Sequence, residues 1–97
     1  MIVRIVKLSL NPGRRSDFIS EFDKVKDQII SFDGCRSTEL LIDSPATGIV
    51  FTYSLWDSPQ HLESYRQSDF FKNTWARVKP MFAAKAEAWT LNRHLQK

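Results

Sequence analysis

The sequence predicts an α+β fold in the order β-α-β-β-α-β, with four antiparallel strands in one sheet and the helices on one face of it. Three observations carry this expectation. Two β-type runs, Arg36 to Ile42 and Ile49 to Trp56, are joined by Asp43-Ser44-Pro45-Ala46-Thr47-Gly48, a density of turn formers that argues for an antiparallel hairpin. Phe18, Phe22, Val25, Ile29 and Phe32 repeat at spacings of four and three, as one stripe of a helix does. A second helical stretch, divided at Ser68, precedes a final alternating run.

The first strand is Ile2 to Leu10, rich in β-branched residues. Ile2, Val6, Leu8 and Leu10 share one face with Arg4, and Val3, Ile5, Lys7 and Ser9 share the other. Neither face is wholly polar, so both are expected to be at least partly buried. Asn11-Pro12-Gly13 ends the strand, because Pro cannot donate to the ladder and Gly accepts turn geometry. The first helix follows, from Pro12–Ser16 to Phe32, and Asp33-Gly34 should end it with Gly34 in the left-handed C′ position. The run Ile49 to Trp56 is apolar or aromatic on both faces, which fits a sheet covered on both sides.

Asp57-Ser58-Pro59 breaks the chain again. Ser58 is placed to cap a short helix with Pro59 in its first turn, where a missing N–H costs nothing. Ser68 reads as a second cap, followed by Phe71, Trp75, Val78 and Phe82 at helical spacing, and Pro80 should terminate or kink that helix. Ala86 to Leu95 reads as the last strand. This order is the ferredoxin-like split βαβ arrangement. Its helices cover one sheet face only, so the apolar second face predicts packing against another copy of the sheet, a homodimer.

With 97 residues, the chain is expected to form one domain, 1–97. The net charge of +3 comes from scattered basic residues and gives no nucleic-acid footprint. A lone cysteine, Cys35, excludes an internal disulfide and reads as a small buried filler. Charges inside the N-terminal run MIVRIVKLSLNPG argue against a signal peptide or membrane span, so a soluble cytoplasmic protein is expected. Paired carboxylates, clustered metal ligands, a glycine-rich phosphate loop and a serine-hydrolase elbow are all lacking, so no metal site is expected.

The residues that suggest a ligand site lie between Ser54 and Phe82. Trp56, Phe71, Trp75 and Phe82 offer flat apolar walls for a substrate, and Tyr65 adds a hydroxyl donor. His61 shares the Tyr65 face of the short helix, because residues three and four apart are neighbours, and is a possible base. The same spacing of Phe71, Val78 and Phe82 also describes plain core packing, and a histidine on the rim of a short helix also describes a solvated side chain.

The whole chain resembles the antibiotic biosynthesis monooxygenase family of dimeric α/β barrels. The resemblance rests on Pro12-Gly13 before the first helix, Phe32-Asp33-Gly34 before the second strand, Leu55-Trp56-Asp57-Ser58, and Ser68-Asp69-Phe70-Phe71 with the aromatic-bearing helix after it. It implies one of several activities on a shared scaffold. A haem-degrading branch carries an Asn on the first strand, a Trp on the short helix and a ligating His on the third helix. Here those positions hold Val6, Tyr65 and Trp75, and an indole nitrogen cannot ligate iron as imidazole does, so haem is not expected as a ligand.

The other branch oxidises aromatic phenols with dioxygen and no cofactor, and its strand Trp and helix Tyr are matched by Trp56 and Tyr65. The resemblance therefore implies a small cofactor-independent monooxygenase acting on an aromatic or quinol-like metabolite, with Tyr65 and His61 as catalytic candidates. The alternative is a non-oxidative member that isomerises or degrades a small carbonyl metabolite, or binds a ligand without turnover.

Overall fold

A computed structural model describes residues 1–44 and 47–94. Within that range run β1 (Ile2–Ser9), α1 (Arg15–Ile30), β2 (Cys35–Ile42), β3 (Ile49–Trp56), α2 (Pro59–Arg66), α3 (Asp69–Val78) and β4 (Glu87–Asn92). Pro45 and Ala46 of the expected hairpin turn, and Leu95 of the expected last strand, lie outside the described residues. The strands form one antiparallel sheet in the order β2-β3-β1-β4, the ferredoxin-like α+β arrangement the sequence predicts.

Local chemistry sets the element ends. Pro12-Gly13 turns the chain after β1 with Gly13 at φ +80°, a conformation glycine reaches without Cβ strain. Ser58 caps α2 by accepting the His61 backbone N–H, with Pro59 in the first turn, and Ser68 caps α3 by accepting that of Phe71. Arg15, at the start of α1, donates to the carbonyls of Asp43, Ser44 and Thr47 and ties the helix to the β2–β3 connection.

The strand ends shift slightly from expectation, with β1 closing at Ser9 rather than Leu10, β2 opening at Cys35 rather than Arg36, and β4 opening at Glu87 and closing at Asn92. Two helix ends also differ. α1 stops at Ile30 with Ser31 as its C-cap, so left-handed Gly34 (φ +84°) serves the later turn into β2 rather than the C′ position. α3 stops at Val78, and Pro80 lies in a 3₁₀ turn, Lys79–Met81, because proline has no N–H to continue the α-helical ladder. Phe82 consequently leaves the helix and bridges to Leu10 beyond the end of β1.

The core lies between the sheet and the helices. Phe18, Phe22, Val25 and Ile29 of α1 are buried, as their spacing predicts. One cluster joins Leu8, Leu10, Phe18, Phe22, Val50, Val78 and Met81, and a second joins Ile2, Trp56 and Leu62. The other sheet face carries Val3, Ile5, Phe51, Tyr53, Leu55, Trp89 and Leu91, which strand pairing sets side by side. Val3, between its ladder partners Leu55 and Leu91, is buried, but Trp89 and Leu91 are each 43% exposed. The chain alone therefore leaves a contiguous apolar surface on that face. No helix among the described residues is long and apolar enough to cross a membrane.

Candidate functional site

Strand alternation and helix periodicity together leave a cavity of about 360 Å³ between the helix-facing side of the sheet and the helices. Its floor is built from Arg4, Val6 and Leu8 of β1 and from Thr52, Ser54 and Trp56 of β3, with Thr38 and Ala88 from the outer strands. Side chains two residues apart on a strand point the same way, so β1 and β3 each deliver three neighbours to one surface. Phe22, Val25 and Ile29 of α1, Leu62 and Tyr65 of α2, and Phe71, Trp75 and Val78 of α3 cover it.

The aromatic candidates form an unbroken chain. Trp56 meets Tyr65 with ring centroids 5.0 Å apart, Tyr65 meets Phe71 edge-on at 5.1 Å, and Phe71 stacks on Trp75 at 5.9 Å with a 14° interplanar angle. Trp75 then meets Phe82 edge-on at 5.3 Å. The first four line the cavity, whereas Phe82 supports Trp75 from behind and is not in the lining. Such pairs add about 0.5–1.5 kcal/mol each beyond their buried area, so these walls are held rather than loose.

Trp56 is the most constrained of them. It is 1% exposed, and its indole N–H donates to Ser54 Oγ at 3.1 Å. Tyr65 is packed among Phe32, Trp56, Phe70 and Phe71, and burial pushes its phenol well above the ordinary tyrosine range. The group therefore keeps its proton at neutral pH. Its hydroxyl makes no hydrogen bond among the described residues, and the residue is part of the cavity lining; a phenol that keeps its proton can donate but cannot serve as a base.

His61 is placed elsewhere. Its Nδ1 lies 2.7 Å from Ser58 Oγ, its Nε2 lies 3.5 Å from Asp33 Oδ2, and its ring covers Gly34 so closely that a Cβ there would collide with it. The order Ser58–His61–Asp33 superficially suggests a hydrolase triad. The Ser58 hydroxyl is occupied as the α2 cap, however, the Asp33 side chain is 98% exposed, and none of the three residues lines the cavity. His61 thus secures the α1–β2 corner against α2. Cys35 packs against the Ile2–Trp56–Leu62 cluster, and burial raises its thiol pKa, as expected of an inert filler.

The cavity also has a polar end that the aromatic pattern did not disclose. Arg4 pairs across the sheet with Ser54 on one side and Thr90 on the other, and its Nη1 donates to Thr90 Oγ1 at 2.8 Å. Arg66 of α2 faces the same space, paired with Glu63 at 3.2 Å, and Glu21 of α1 accepts from Arg77 of α3 at 2.7 Å. The visible signal was Arg4 itself, a charge on an otherwise apolar strand face. No group of three or more potential metal-ligating His, Cys, Asp or Glu side chains occurs among the described residues.

Comparison with known proteins places this geometry among relatives. Residues 1–77 match the family model described as antibiotic biosynthesis monooxygenase. A Haloarcula marismortui protein named "Putative heme-binding protein rrnAC3100" is 32% identical over 71 residues, 71% of this chain, but the chain spans only 11% of that protein's length. Among solved structures, Rv0793 from Mycobacterium tuberculosis is similar with a TM-score of 0.84 at 22% identity, covering 98% of this chain and 96% of the other. A "Putative antibiotic biosynthesis monooxygenase" from Nitrosomonas europaea gives a TM-score of 0.87 at 14% identity, covering 96% and 98% of the two chains. At these identities the structural likeness is one of fold.

Proposed function

The chain belongs to the antibiotic biosynthesis monooxygenase family, and from that membership we propose that it is a cofactor-independent oxidoreductase that binds a flat aromatic or quinol-like metabolite and lets it react with dioxygen. The observation that carries this reading is the cavity walled by Trp56, Tyr65, Phe71 and Trp75, in which burial favours the neutral, donating form of the Tyr65 phenol. An electron-rich phenol or anthrone can itself reduce dioxygen once its anion is stabilised. The protein then has three tasks: hold the ring flat, donate to the developing oxyanion, and exclude water. The aromatic walls do the first and third, and Tyr65 does the second. For an anthrone the ring CH₂ becomes a carbonyl with one oxygen atom of O₂, and the second atom leaves with the two hydrogens as water.

Oxygen uptake across a panel of hydroquinones and anthrones, with tryptophan fluorescence recorded on the same samples, tests the proposal. Uptake accompanied by quenching supports it. Quenching without uptake across the panel would transfer the protein to the non-oxidative, ligand-binding or isomerising class.

The name of the Haloarcula relative raises haem as a ligand, and the residues present do not fit it. The described cavity lining contains no histidine, cysteine or methionine. Tyr65 is the one lining phenol, and its burial favours the neutral form over the phenolate that ligates iron. Titration with haemin is expected to give no sharp Soret band of a ligated complex. A saturable one-to-one complex surviving gel filtration would contradict this.

The bare sheet face supports a second proposal, that two copies pack through Val3, Ile5, Phe51 and their strand neighbours. An interface of that character resembles a domain core cut in half, so dissociation should accompany unfolding. Light scattering should return twice the chain mass, and a folded monomer at micromolar concentration would overturn the proposal.

A further inference from the structure

We propose that the cavity selects ligands that carry a carboxylate or similar planar oxyanion, with Arg4 as the residue that binds it; this rests on the ligand-cavity reading above and names the substrate class within it. A strand residue on the core face normally carries an apolar side chain, and Arg4 sits between Ile2 and Val6 on that face. Arginine is almost never buried without a partner. Here the guanidinium is half-buried in the cavity lining, where desolvation and the neighbouring Arg66 work against its charge and Glu63 only partly offsets them.

The available partners are already engaged. Glu21, the carboxylate in the lining, accepts from Arg77 at 2.7 Å. Glu63 uses one oxygen for Arg66 at 3.2 Å and the other for the Gln67 amide at 2.8 Å. Arg4 has no carboxylate within ion-pair distance among the described residues, and its one hydrogen bond there goes to Thr90 Oγ1. A guanidinium offers five N–H donors in a fixed planar fork, so most of that fork is free to face a ligand. Two adjacent cations thus share the one nearby carboxylate of Glu63, which bonds Arg66 and reaches Arg4 only through space, an arrangement that a second anion would complete.

The rest of the cavity determines what the anion is attached to. The row Ser54–Arg4–Thr90 forms a polar strip across β3, β1 and β4, while Val6, Leu8, Phe22, Val25, Trp75 and Val78 make the remaining space apolar. A ligand that satisfies both ends has a flat apolar body with an oxyanion at one edge. Arginine suits such a group because its fork matches the two oxygens of a carboxylate in one plane, which also fixes the direction in which the ring enters.

Isothermal titration with 2-naphthoate and with 2-naphthamide tests the charge requirement on one ring system. The wild-type protein should bind naphthoate about ten- to a hundredfold more tightly than naphthamide, the worth of a charge-assisted hydrogen-bonded contact. Added salt should weaken naphthoate and leave naphthamide nearly unchanged. Arg4→Gln should erase the preference by weakening naphthoate alone, and Arg66→Gln should have the smaller effect because Glu63 already offsets its charge. Equal binding of the two probes by the wild-type protein would overturn the Arg4 assignment while leaving the cavity reading intact. Binding of neither probe would overturn both. The wild-type comparison needs no variant, so it decides the matter even if Arg4→Gln folds poorly.

Discussion

Trp56→Ala is expected to lower folding stability by about 3–5 kcal/mol, the range for deleting a large buried aromatic. The side chain is 1% exposed, packs at a tilt against Tyr65 and donates to Ser54 Oγ, so its removal leaves a void and strips Ser54, itself 7% exposed, of that donor. A domain of this size commonly has only about 5–15 kcal/mol in total, so the variant should unfold at a much lower urea concentration than the parent. Trp75→Ala provides the contrast. Trp75 is only partly buried, so it should lose ligand quenching well before it loses the fold. A Trp56→Ala unfolding free energy within about 1 kcal/mol of the parent's would show that the β3 end of the core does not depend on this indole.

Tyr65→Phe is expected to slow oxygen uptake by about a hundred- to a thousandfold, the loss seen when one well-placed donor to a developing oxyanion is removed. The ring and its contacts with Phe32, Trp56 and Phe71 remain, and the lost hydroxyl has no hydrogen-bond partner among the described residues. Stability and ligand quenching should therefore stay near the parent values, which separates a catalytic loss from a structural one. Because burial raises the phenol pKa, the donor persists through the ordinary tyrosine pKa of about 10. The stability linked to keeping it neutral is fully present below that pH and is lost as the pH climbs towards the higher folded value. A Tyr65→Phe rate equal to the parent's would remove the hydroxyl from the chemistry.

Periodicity made most of the fold legible, because the strands and helices here bury one face and so write their period into the residues. Phe18, Phe22, Val25 and Ile29 disclosed α1, and Ser58-Pro59 and Ser68 disclosed the division between α2 and α3. Ends decided by competition were less legible. Phe82 continued the α3 spacing, but the proline two residues before it ended the helix first. For the site, a residue's element could be read but not its direction. His61 and Tyr65 share one turn-face of α2, yet the imidazole lies against the Ser58 hydroxyl and Gly34 at the α1–β2 corner while Tyr65 lines the cavity. Arg4 was visible as an oddity on an apolar strand face. Its meaning depends on which carboxylates Arg66 and Arg77 engage, and that is a tertiary fact.

The most direct test of the proposed chemistry is turnover of an anthrone under isotopically labelled dioxygen in ordinary water, followed by mass spectrometry of the quinone. One labelled oxygen atom is expected in the product, the other having left as water, and this turnover should be lost in Tyr65→Phe. A quinone whose new oxygen is unlabelled, or an anthrone that quenches tryptophan fluorescence and is recovered unchanged, would contradict it.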